Sequence, residues 1–235
     1  MVEPTIRDIK KFERTLKRLH SKQSAISDTT ELFILESMHL IHGASLIILK
    51  IRVEKNGESS ENRSPLFRDD LLFYRLMVGP VLRFILEQFI KIMYICTASS
   101  NEEKLERLDL LTYSLGFEYK KFLKRIKDSQ VFDSFVNGFC DIDESKCRRK
   151  TVKGIIDEIS KNNPNVEYFY EAYAIACFYA HGTFGSVIWK RLFDGENPRQ
   201  PCLKTNEVLF RIAAEMNTVM SQLWEERYPY IFEGL

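Results

Sequence analysis

The chain has 235 residues, 45% of them apolar, and its 34 lysines and arginines stand against 33 acidic residues for a net charge of +1. That length supports one sizeable core, so a single domain over residues 1–235 is expected. The balanced charge excludes a global field that would draw nucleic acid or an anionic membrane surface, and leaves such contacts to local patches.

The N-terminus, MVEPTIRDIKKFERTLKRLH, is charged throughout and lacks the apolar run of a secretory signal, so a cytoplasmic location is expected. Pro4 opens a first helix whose Ile6, Ile9, Phe12, Leu16 and Leu19 recur at spacings of three and four, the stripe of an amphipathic helix. Ser27 or Asp28 caps a second helix through ELFILESMHLIHGASLIILKIRV, and residues 54–65 read as an exposed loop because their composition is polar. Leu66 to Cys96 form a strongly apolar helical pair or one kinked helix, with Pro80 removing a backbone donor. Ser100 and Glu103 make a capping box for a fourth helix reaching about Lys127.

Residues 128–150 are the least periodic part and are expected to be irregular. Thr151 caps a short helix, Pro164 starts a longer one through Phe193, and residues 194–202 form a loop. A last helix runs from about Asn206 to Glu226 with Leu209, Ile212, Ala213, Met216, Val219, Met220 and Leu223 at helical spacing. No run alternates with period two and no repeat recurs at a fixed period, so the fold class is all-α: a bundle of six to eight helices with little or no sheet.

The chemistry-bearing motifs are few. Cysteines 96, 140, 147, 177 and 202 form an odd set without a CxxC pair, the usage of a reducing compartment, and read as structural thiols. Ala172 to Trp189 has no charged residue, but its His181, glycines and tyrosines fit a core helix better than a membrane span. Glu36 and His39 have the Glu-x-x-His spacing of a metal-ligating pair; a di-metal bundle needs a second such pair, which is missing, so neither a metal nor a cofactor is expected. Phosphate-cradling glycine loops and the nucleophile elbow are absent.

Two helices carry more polarity than a plain bundle needs. Arg83, Glu87 and Lys91 fall at i, i+4 and i+8 with Tyr94 continuing the line; the stripe is either a solvated face of local ion pairs or an inward polar core. His181 continues an apolar face formed by Ala174, Cys177 and Phe178, where an imidazole needs a partner. These segments, Arg83, Glu87, Tyr94 and Ile95 in one helix and Tyr173, Tyr179, His181 and Gly182 in the other, resemble a family of bacterial all-helical proteins suspected of roles in phage defence. They are also distantly similar to HEPN helical domains, some of which are metal-independent ribonucleases with an arginine shortly before a histidine. Here the ten residues before His181, EAYAIACFYA, hold no arginine, so the resemblance implies that Arg83 fills the role through space. His181 would then be the general base for an RNA 2′-hydroxyl, Arg83 would hold the phosphate, and Glu87 would orient the guanidinium.

Arg148, Arg149, Lys150 and Lys153, with Lys120, Lys121, Lys124, Arg125 and Lys127, make a candidate phosphate-backbone surface. The competing class is a non-catalytic binding or assembly module. It is motivated by the small-residue run Ala172, Ala174, Ala176, Ala180, Gly182, Gly185 and Ser186, which lets another helix approach closely. The expected partner is a protein or a second copy, with RNA as a further candidate and without membrane or metal.

Overall fold

A computed structural model of the protein describes residues 6–57, 70–123, 150–161, 163–180 and 204–233. Among them are eight α-helices and no strand. In chain order these are α1 (Ile6–His20), α2 (Thr29–Gly57), α3 (Asp70–Cys96), α4 (Asn101–Leu123), α5 (Val152–Ile159), α6 (Val166–Ala180), α7 (Thr205–Trp224) and α8 (Pro229–Phe232), with a 3₁₀ turn at Gln23–Ala25.

Local signals account for the starts. Asp28 Oδ1 accepts from the backbone N–H groups of Thr30 and Glu31 at 2.8 and 3.0 Å, satisfying donors that the first turn of α2 leaves free. Its carboxyl is held below the usual range, chiefly by the Thr30 hydroxyl and those N–H groups working against burial. The Ser100 hydroxyl accepts from Glu103 N–H at 3.1 Å, while Glu103 reaches back to the N–H of Ser99, one residue earlier than a strict capping box. Thr151 caps α5 by accepting from Gly154 N–H at 3.1 Å.

One expectation changes and one open alternative closes. Glu54–Gly57 are the last turn of α2 rather than the start of a loop, because glutamate and lysine are good helix formers and a helix end needs no apolar face; the remainder of 54–65 lies outside the described residues. Helix α3 is one continuous helix across Pro80. The C-terminal α8, a single turn opened by Pro229, is an element that the periodicity does not reveal. The segments 194–202 and 128–149 lie outside the described residues.

Helix α3 is the hub. Its Val78, Leu82, Ile85, Leu86, Phe89, Ile90, Ile92 and Ile95 are buried all round, as a helix enclosed by neighbours requires. It packs most extensively on α6 and α2, and also meets α4, α5 and α7. Helix α1 lies on α7 with Phe12, Leu16 and Leu19 buried, although Ile6 at the start of its stripe is exposed. Ala172 and Ala176 of the small-residue run are buried on α6, where they let α3 approach within the same chain. By length and composition Thr29–Ile48 of α2 could cross a bilayer, and 39% of that window is buried inside the protein.

Candidate functional site

The Arg83, Glu87, Lys91 and Tyr94 stripe divides between the two readings: Glu87 and Lys91 form a local ion pair with Glu87 partly exposed, while Arg83 and Tyr94 turn toward neighbouring helices. At its N-terminal end Arg83 lies beside Tyr173 and Cys177 of α6. The Tyr173 hydroxyl, opposed by burial and aided by Cys177 and Glu87, raises the guanidinium above the ordinary arginine range. Burial, together with a hydrogen bond to Cys177, lifts the Tyr173 hydroxyl above its own range, against the pull of Arg83. Arg83 Nε is buried with no hydrogen-bond partner among the described residues. Glu87 does not orient Arg83 as expected: its Oε1 accepts from Lys91 Nζ at 2.9 Å, a same-helix pair that relieves both side chains without a long-range partner.

At the other end Tyr94 is fully buried and belongs to a different cluster, built where α3 ends. Arg107 of α4 lies 4.6 Å from the Tyr94 ring centroid and Lys150, just before α5, lies 5.0 Å from it, so two cations share one aromatic ring. Arg107 Nη1 donates to the Tyr94 carbonyl in the last turn of α3 and, at 3.0 Å, to the hydroxyl of Thr97, which itself donates to the Met93 carbonyl at 2.8 Å. Its Nη2 bonds Glu103 at 2.6 Å and comes within 3.7 Å of Glu158, which accepts from Lys150 Nζ at 2.6 Å. Burial draws the Lys150 ammonium down, but the hydrogen bonds to Glu158 and to the Tyr94 hydroxyl outweigh it and hold the pKa above the ordinary lysine value. The cluster holds two cations and two carboxylates, so its charges cancel internally.

The candidate phosphate surface is correspondingly reduced. Lys150 is committed to Glu158, and Lys153 pairs with Asp157 at 2.7 Å while lying over the Tyr170 ring. Arg148 and Arg149 lie outside the described residues, as does His181, the expected base. Burial pushes the Cys96 thiol up to about 12, which suits a structural role. Among the described residues no group of three or more His, Cys, Asp or Glu side chains is arranged to hold a metal.

Arg107 and Glu158 were not singled out by sequence reasoning. The i, i+4 pair Glu103 and Arg107, following the capping box, was the available signal, but it reads equally as a surface pair. What fold and site together define is an all-helical bundle with one internally balanced polar cluster where α3, α4 and α5 meet. No protein-family model matches the chain, no curated protein matches it, and no solved structure matches it.

Proposed function

We propose that the protein works by binding, as a helical scaffold that offers the outer face of α2 to a protein partner or a second copy of itself. The observation that carries this reading is a contiguous exposed stripe. Leu40, Leu46 and Ile47 are each about half exposed, and Gly43 lies between them with nothing within 4 Å of where a Cβ would sit. Leu40, Gly43 and Ile47 fall at i, i+3 and i+7, one helical face with a low point in its middle that admits another helix. The balanced cluster around Tyr94 favours this class over catalysis, since Arg107 and Lys150 are each already paired with a carboxylate. A place in a bacterial defence or stress system rests on the resemblance of the segments around Arg83 and Tyr173. The expected result is that Leu40→Lys with Ile47→Lys abolishes association, measured by sedimentation against concentration and by partner capture, while the melting temperature stays within about 3 °C, as for exposed substitutions. A double variant that associates like the parent would remove α2 as the binding face.

A second reading, metal-independent RNA cleavage by His181 and Arg83, is favoured by one contact. Arg83 lies beside Tyr173 on α6, whose described residues run to Ala180, the residue before His181 in sequence. His181 would take the 2′-hydroxyl proton while Arg83 neutralises the phosphate. On this reading purified protein cleaves RNA in the presence of a chelator, and His181→Ala lowers the rate at least about 100-fold. Equal cleavage by the parent and this variant would exclude it.

A further inference from the structure

Three of the chain's four histidines, His20, His39 and His42, meet at the seam between α1 and α2. The His20 and His39 rings stand edge to face with centroids 4.8 Å apart. His42, one turn along α2, faces the Phe12 ring at 6.3 Å. The Nε2 atoms of His39 and His42 are both buried with no hydrogen-bond partner among the described residues. We propose that this seam is an acid-sensitive latch, in which protonation of His39 and His42 in mild acid loosens α1 from α2.

The surroundings accept neutral imidazoles and offer little to imidazolium. From α1 the facing charged groups are Glu13, Lys17 and His20, with Arg14 near Glu13; from α2 itself Glu36 borders the groove beside His20. Helix α7 lines the cavity beside His42 with Leu209, Ile212 and Ala213, and the 3₁₀ turn lines the groove beside His20 with neutral Gln23 and Ser24. Among the described residues the carboxylate facing His42 is Glu13, but its Oε1 is 4.0 Å from Nε2 and is held by Lys17 Nζ at 2.7 Å, so a protonated His42 must compete for it. Between them lies a cavity of about 40 Å³, room for a single water. Burial holds His39 below the usual histidine value, and positive charge on His20 and His42 adds to that; burial likewise lowers His42, opposed by Glu13.

The sign follows from linkage. The folded seam keeps both imidazoles neutral to lower pH than the unfolded chain does, so their contribution is fully present above about pH 6.5 and is lost as pH falls toward the depressed folded values. Glu13 and Asp28, whose carboxyls are held low, lose their contribution only in a more acidic window, below about pH 4.5. Between the two windows the histidines act alone among these groups, and the effect is local because α1 is also anchored on α7.

Hydrogen exchange on the full chain at pH 7.5 and 5.5, corrected for intrinsic rates, tests this. Protection of α1 is expected to fall by up to about ten-fold for each of the two histidines, so by about 10- to 100-fold in all, while α3 between Leu86 and Met93 is unchanged. His39→Gln with His42→Gln is expected to abolish the fall. Should that double variant not fold, His20→Gln, at an exposed position, removes the like charge beside His39 and is expected to shrink the fall about two-fold. Unchanged α1 protection in the parent, an equal loss in α3, or a foldable variant that behaves like the parent each overturns the latch.

Discussion

Replacing Arg107 by alanine is expected to destabilise the protein by about 2–3 kcal/mol, read as a fall of roughly 5–10 °C in melting temperature. The side chain is 12% exposed and serves the Tyr94 carbonyl, the Thr97 hydroxyl, the Tyr94 ring and Glu103 together. Removing it takes the charged donor from the Tyr94 carbonyl, which keeps only the Thr97 hydroxyl at 3.3 Å, and uncovers the Tyr94 ring. The loss stays below that of a fully buried ion pair because Glu103 and Glu158 are each about one third exposed and Lys150 still holds Glu158. Arg107→Lys keeps the charge but not the forked geometry, and is expected to recover about half of the loss. If both variants melt with the parent, the cluster is a solvated surface network.

The larger expected loss is at Trp224, fully buried at the end of α7, whose indole N–H donates to Glu31 Oε2 at 3.0 Å. Trp224→Ala should cost about 3–5 kcal/mol, since it removes the largest enclosed side chain and leaves a cavity between α7 and the start of α2. Trp224→Phe should cost about 1–2 kcal/mol. Arg227 continues to hold both Glu31 oxygens, at 2.8 and 3.0 Å, so the carboxylate is not stranded when the indole N–H goes. Denaturant titration of the two variants separates the terms. A phenylalanine variant as unstable as the alanine one would mean that the hydrogen bond, rather than the packing, fastens the two helices.

Much of this architecture was legible in the residues because its causes are local. Spacings of three and four fixed the buried faces of α1 and α7: Leu209, Ile212, Ala213, Met216, Val219 and Met220 are buried as that period requires, and Leu223 packs partly buried against the same core. Thr151 and Ser100 cap the helices they were expected to cap, since a cap needs only a side-chain oxygen within three residues of a free N–H. Where a helix ends inside a polar stretch was not legible: Glu54–Gly57 have no apolar face to mark them, yet nothing in their chemistry stops the helix before Gly57.

By itself, then, the sequence determined the helical class, the apolar faces and the starts of α2, α4 and α5, because propensity, periodicity and capping act within a few residues. Only the tertiary structure decided how the Arg83 to Tyr94 stripe is shared out, because helical phase places four side chains on one line but leaves open which neighbouring helix each will meet. Arg83 reaches Tyr173 some ninety positions away, Tyr94 lies beneath cations from α4 and from the residue before Thr151, and His20 and His39 meet across a helix seam. Such contacts are set by how whole faces pack, a property of the assembled core that no short window of residues carries.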